Sequence, residues 1–292
     1  MPLVNSPDSQ GDLFETQVAR RLLDQLLADS KLYTRSKDYK DLLDFVARLR
    51  NFAPFNAMLL HLQKPGLRFA ASANDWRVRF DRFPREGARP LLIMWPFGPV
   101  ALVYDQMDTD GKPVPEDASA FPAFGEIQDS RLGDFRGFLA KKKIEWNAID
   151  AGDDSAGSIR ALRRAVDDKD ATSYRMNINR NHTAPVQFAT LAHELGHLFL
   201  GHLGADAKLN IPRRRTLDHA QRELEAESVA FLVCRRNGVS PKSQTYLSTF
   251  VDGNTTVNDL DLYQIMRAAG QVETVLRLGA HSKLSKAIAN RE

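Results

Sequence analysis

Apolar residues recur at helical spacing in two stretches near the start of the chain. Leu13, Val18, Leu22, Leu23, Leu26 and Leu27 do so within 12–32, and Leu42, Phe45, Val46 and Leu49 within 38–51. Both stretches predict amphipathic helices. Pro54 opens a third, shorter helix with Met58, Leu59 and Leu62 on its apolar face, and Lys64-Pro65-Gly66 stops it. The period then shortens. Residues 67–71, 89–95 and 100–105 predict strands, separated by a helix or loop around Trp76 and by a turn running from Pro96 to Pro99.

Between Asp108 and Gly125 the chain turns to Asp, Gly, Pro, Ser and Ala, a composition of turns and solvated coil, and a domain boundary is placed there. This separates 1–125 from 126–292. Beyond it, residues 173–179 alternate apolar Tyr174, Met176 and Ile178 with Arg175 and Asn177, the signature of a half-buried strand. A helix follows at once: Thr183 caps it, Pro185 suits its first turn, and Gly201 or Gly204 ends it. Another helix covers 217–236 before Asn237-Gly238, and the remainder reads as mostly helical. The pattern predicts an α+β protein, with an N-terminal α+β domain and a C-terminal, mainly helical domain carrying a small sheet.

Composition narrows the class. With 292 residues, 43% hydrophobic and 26% charged, the chain is ordinary for a globular protein and excludes fibrous or disordered classes. The longest apolar run, 90–104, is broken by Pro96, Gly98 and Pro99, which argues against a membrane span. Residues 1–30 hold Asp8, Asp12, Glu15 and Asp24 and no uninterrupted apolar core for a secretory signal. Cys234 is the single cysteine, so an internal disulfide is excluded, any metal site must use His and carboxylate ligands, and a cytoplasmic location is expected. The net charge of +3 is uneven: residues 31–99 carry 13 Lys and Arg against 6 Asp and Glu.

The chemistry concentrates in Leu191-Ala-His-Glu-Leu-Gly-His-Leu198. Four residues apart on a helix, His193 and His197 project from one face and can hold one tetrahedral Zn²⁺. Glu194 points beside the metal, where a carboxylate can take a proton from water acidified by the ion. A third protein ligand is needed. His202 is five residues past His197, which rotates it about 180° from His193 on a straight helix and makes it a poor ligand. The helix over 217–236 offers Glu223, Glu225 and Glu227, and helical geometry leaves all three open. The strand over 173–179 is expected to bind an extended peptide by strand addition, and Tyr174, His182 and His219 are candidates to steady an oxyanion.

The segment Thr190-Leu-Ala-His-Glu-Leu-Gly-His-Leu-Phe-Leu-Gly-His202, followed by Glu223-Leu-Glu-Ala-Glu-Ser-Val-Ala-Phe-Leu-Val-Cys234, resembles the ImmA/IrrE family of metallopeptidases and the C-terminal domain of ArdC-type antirestriction proteins. The resemblance implies a gluzincin-like metallopeptidase domain over 126–292. It implies zinc held by His193, His197 and Glu225, with Glu227 the next choice, because Glu225-Ala226 followed by Ala230 fits the family register best. Glu194 is then the catalytic base, acting on a protein or peptide substrate.

A second match lies upstream. Arg50-Asn-Phe-Ala-Pro-Phe-Asn-Ala-Met-Leu-Leu60, Trp76 and Gly87-Ala-Arg-Pro-Leu-Leu-Ile-Met-Trp-Pro96 resemble the ArdC N-terminal domain, which implies single-stranded-DNA binding within 1–125. Phe80-Asp81-Arg82-Phe83 departs from the Gly-Arg pair that family members tend to carry there. Cations interleaved with aromatics between Phe45 and Phe97 suit that partner, since cations follow phosphates and aromatic faces stack on bases. The candidate contacts are Arg50, Asn56, Arg68, Trp76, Arg77 and Arg79. Two functions follow as expectations: a zinc metallopeptidase tied to DNA, or a DNA-binding antirestriction protein whose metal site is structural.

Overall fold

The computed structural model describes residues 25, 36–95, 98–114, 127–152, 156–165, 170–214, 217–240 and 260–278. The helix expected over 12–32 lies outside them except at residue 25, as do 96–97 of the expected turn, most of the polar stretch to 125 and much of the chain beyond 240. The described residues divide into two compact units, one from 56 to 114 and one combining 36–55 with 127–278. Residues 36–55 thus group with the C-terminal part of the chain, although the composition shift suggests a single cut near 125.

The physical reason is where helix α1 (Ser36–Arg48) buries its apolar face. Leu42, Leu43 and Val46 are fully buried, and the Tyr39 hydroxyl donates to Ser228 Oγ at 2.7 Å, 189 residues away. Helix α2 (Pro54–Gln63) begins at the proline and stops before Lys64-Pro65-Gly66, as the punctuation predicts.

In the first unit, β1 (Ala70–Ala71), helix α3 (Ala73–Phe80) and β2 (Arg82–Pro84) precede β3 (Leu91–Trp95), β4 (Gly98–Asp105) and β5 (Thr109–Gly111). One antiparallel sheet has the order β1-β4-β3 and a second pairs β2 with β5. The outer edge of β3 is satisfied by side chains of α2. Asn56 exchanges both amide hydrogen bonds with the Met94 backbone (3.1 and 2.9 Å), and Gln63 does the same with Leu92 (both 2.8 Å). Two amides seven residues apart stand in for a neighbouring strand. Ser72 caps α3 through the Asp75 N–H, and the helix ends at Asp81 with φ 51°. The Gly to Asp departure therefore falls on a left-handed position, which Asp tolerates better than most residues. Arg82, next to it, donates to Thr109 Oγ1 at 2.9 Å and to the carbonyls of Thr109, Gly111 and Lys112, stapling β5 to β2.

In the second unit the interval 126–172, where the pattern names no element, holds α4 (Asp129–Ala140), β6 (Ile144–Ile149) and β7 (Gly157–Arg163). The expected strand is β8 (Ser173–Asn179), and Tyr174, Met176 and Ile178 are buried as its alternation predicts. It is the central strand, parallel to β6 on one side and antiparallel to β7 on the other. Strand addition to β8 is therefore excluded, because both of its edges are already paired. Helices α5 (Ala184–Phe199), α6 (His219–Arg236) and α7 (Leu262–Val275) complete the unit.

Candidate metal centre

Two local devices place the His-Glu helix. Thr183 occupies the N-cap position of α5 with extended backbone, but its hydroxyl makes no capping bond. Instead Gln187 folds back, its amide donating to the His182 carbonyl at 2.7 Å. On α6 the cap is complete: Asp218 accepts the Gln221 N–H at 2.7 Å while the Gln221 side chain accepts from the Asp218 N–H. Glycine sets the spacing of the two helices. A Cβ on Gly196 would lie 3.3 Å from both the Ala226 carbonyl and Val229 Cβ, so α5 and α6 meet at near backbone contact between the two histidines and the acidic face of α6.

That contact assembles a cluster. His193 Nε2 and His197 Nε2 are 3.0 Å apart, and Glu223 brings its oxygens to 3.4 Å from the first and 3.5 Å from the second. Among the described residues these three form the group able to hold a metal ion. Donor atoms about 2.0 to 2.2 Å from a tetrahedral ion lie about 3.3 to 3.6 Å from one another. Both histidine–carboxylate distances fall in that span and the two imidazoles stand about 0.3 Å closer than it, so a small shift of the rings fits the three to a tetrahedral cation, with one position left for water.

Glu225, the ligand the resemblance implies, is elsewhere. It is fully buried, accepts Arg214 Nη2 at 2.8 and 3.2 Å, and lies 3.0 Å from His202 Nε2. Burial raises its carboxyl, but His202 and Arg214 outweigh that and hold it below the usual carboxylate range. The correction follows from α6 itself. At about 100° per residue, Glu223 and Glu227 share a face while Glu225 lies about 200° from Glu223. The spacing carried that signal, although it does not say which face meets α5. Glu227, the second choice, sits behind the cluster with Oε1 3.3 Å from His193 Nδ1.

The electrostatics separate the roles. Burial lowers the basicity of His193, but Glu223 and Glu227 outweigh it and raise the ring to about 10. Burial, followed by the charge of His193, takes His197 down to about 4. Glu223 is held at about 2, chiefly by His193. Glu194, only 9% exposed, is pushed up to about 7 by burial, while its carboxylate accepts the backbone N–H of Ile159 on β7. That places a carboxyl poised near neutrality beside the histidines and against the sheet.

Of the oxyanion candidates, the Tyr174 hydroxyl donates to Asp206 at 2.9 Å and is engaged there. His182 lies beside Asn179, 3.5 Å from its amide nitrogen. His219, 80% exposed, stands 3.6 Å from Glu223 and is the one at the cluster.

The expected nucleic-acid contacts divide. Trp76 has no exposed surface; it packs edge-on against Phe69 and donates to the Tyr104 carbonyl at 2.9 Å, so it cannot stack on a base. Asn56 spends its amide on β3. Arg50 belongs to the second unit, where burial and then the charge of Arg236 lower its basicity. Arg68, Arg77 and Arg79 are exposed on the first unit, Arg77 donating to Asn74 and Arg79 lying over Phe80. Phe83, one of the interleaved aromatics, is 53% exposed on β2.

Residues 154–234 match the family Peptidase_M78, described as an IrrE N-terminal-like domain. No curated protein sequence matches the chain significantly. Among solved structures the chain is similar to the antirestriction ArdC protein from the R388 plasmid in its metal-free form, at 18% identity over 76% of this chain and 82% of that one, TM-score 0.32. The Mn(II)-bound form of the same protein gives 18% identity over 82% and 95%, TM-score 0.36.

Proposed function

From a chain whose residues 154–234 match the Peptidase_M78 family, described as an IrrE N-terminal-like domain, we propose that the protein is a cytoplasmic, zinc-dependent metallopeptidase. The observation that carries this is the convergence of His193 Nε2, His197 Nε2 and the two Glu223 carboxylate oxygens, at 3.0 to 3.5 Å, with Glu194 buried beside them. His193, His197 and Glu223 hold the ion. A divalent cation bound there supplies Lewis acidity, which makes water acidic enough to attack a carbonyl at neutral pH. Zinc is the first choice for such ligands, although two histidines and a carboxylate do not select it sharply.

Glu194 takes the proton from the attacking water and returns it to the leaving amine. A carboxyl near 7 suits both steps, because its acid and base forms are both populated at neutral pH. An extended peptide lies along β7, the outer strand of the β6-β8-β7 sheet, which already offers the Ile159 N–H toward Glu194. His219 at the rim is placed to steady developing negative charge.

The test separates the ligands first. Elemental analysis of the purified chain is expected to find about one metal per chain in the wild type and to find it lost in His193→Ala and Glu223→Ala. Metal lost from Glu225→Gln but retained by Glu223→Ala would reverse the assignment. Glu194→Gln should keep the metal while abolishing cleavage of a peptide library; residual cleavage at the wild-type rate sinks the mechanism.

A second reading concerns the first unit. The exposed Arg68, Arg77 and Arg79, together with exposed Phe83, favour single-stranded DNA as a partner, in an antirestriction or DNA-linked regulatory role. The first unit, described over 56–114, serves this binding, and the second unit, which takes in 36–55 as well as the expected peptidase domain 126–292, the peptidase chemistry. Should Glu194→Gln leave an antirestriction phenotype intact, DNA binding is the principal function and the metal site is structural.

A further inference from the structure

We infer that His202, Glu225 and Arg214 form a buried chain that sets the tautomer and ring plane of His197, aiming its Nε2 lone pair at the cluster with His193 and Glu223. The inference rests on the reading of His197 as a metal ligand. The three are positioning residues, since none reaches the cluster itself.

The geometry dictates each proton in turn. The Arg214 guanidinium offers donors only, and its Nη2 donates to Glu225 at 2.8 and 3.2 Å. The Asp261 backbone N–H, 3.3 Å from Oε1, adds another donor to the same carboxylate. A buried carboxylate with these partners is an acceptor only, so His202 Nε2, 3.0 Å from Oε2, must carry a proton. A ring that carries a single proton accepts at its other nitrogen. It faces His197 Nδ1 at 2.9 Å, and that nitrogen must be the protonated one. His197 is left with a bare Nε2, which is the atom 3.0 Å from His193 Nε2 and 3.5 Å from Glu223.

Burial makes the chain hold. The side chains of His202, Glu225 and Arg214 are 3%, 0% and 9% exposed, so water does not compete for these hydrogen bonds. The backbone supplies the shape. Helix α5 ends at Phe199, and Gly201, with φ +80° and no room for a Cβ beside the Pro212 carbonyl, turns His202 back beneath His197. Ligating histidines in general owe their orientation to such a partner on the second ring nitrogen, and loss of the partner weakens metal binding about 10- to 100-fold.

The experiment reads the tautomer before it reads the metal. The full chain, labelled with ¹⁵N-histidine and free of metal, is examined by long-range ¹H–¹⁵N correlation, with His193→Gln and His197→Gln used for assignment. The wild type is expected to show His197 protonated at Nδ1. His202→Phe fills the space without an acceptor; it should lose that preference and bind zinc about 10- to 100-fold more weakly in a chelator competition. His202→Asn, whose amide oxygen falls where the ring Nδ1 was, should recover both. If His202→Phe fails to fold, Glu225→Gln, of nearly equal volume and without the charge, takes its place and should shift the tautomers of both His202 and His197. A wild-type His197 protonated at Nε2, or a tautomer unchanged in every one of these variants, overturns the chain. If the wild type binds no zinc, the metallopeptidase reading fails, and the tautomer measurement still decides the chain on its own terms.

Discussion

Single residues decide how closely the pieces of this site approach. Gly157 lies where β7 passes α5: a Cβ there would stand 2.6 Å from Thr190 Cγ2 and 2.7 Å from the Asn177 carbonyl, and the second of these is backbone that cannot rotate away. Gly157→Ala should therefore cost about 1 to 3 kcal/mol, the range for overpacking a filled interior. Urea denaturation of the variant measures it; stability equal to the wild type would mean that β7 can move off the helix. Trp76 makes the complementary point. As a residue type it suits base stacking, yet its burial and its bond to Tyr104 assign it to the core of its unit, so its loss is felt in folding before it is felt in any ligand.

At the scale of elements, α6 does two jobs on two faces. One face presents Glu223 and Glu227 to α5; the other sends Glu225 to Arg214 and His202. Its last turn carries Arg236, which is fully buried and donates to Glu273 on α7 at 2.7 Å and to the carbonyls of Val46 and Phe52 at 2.9 and 2.8 Å. Those carbonyls belong to the end of α1 and the loop after it, so one guanidinium ties three segments distant in sequence. Removing one partner of a buried ion pair strands the other charge, and Arg236→Met is expected to destabilise the protein by about 3 to 5 kcal/mol. The double variant Arg236→Met with Glu273→Gln should recover part of the loss. Thermal and denaturant unfolding check both, and additive effects in the double variant would deny the coupling.

For the whole molecule, the expectations concern ligands that bind only the folded chain. Zinc at about 100 times its dissociation constant should add about 2.7 kcal/mol to stability. Chelation should lower the melting temperature accordingly, while Glu223→Ala, without its carboxylate ligand, should respond little. On the DNA side, replacing Arg68, Arg77 and Arg79 together by Ala should weaken single-stranded-DNA binding and reduce the slope of log K against log salt by about 2, at about 0.7 per phosphate contact. An unchanged slope would move the DNA surface elsewhere. Among the described residues no helix is long and apolar enough to cross a membrane, in keeping with the broken apolar run at 90–104.

What the sequence determined by itself is local. The four-residue spacing of His193 and His197 on a helix with Pro185 in its first turn, the alternation of β8, the start and stop of α2 and the α+β character all follow from periods and punctuation that neighbouring residues impose on one another. Only the tertiary structure decided what depends on which face meets which. Glu223 rather than Glu225 completes the cluster because α6 turns that face to α5 at Gly196. Likewise β8 is closed to a substrate because β6 and β7 pair with it, and Asn56 is a strand-edge clamp because β3 ends its sheet. Helical spacing says that two carboxylates share a face; contacts between distant segments say what that face is for.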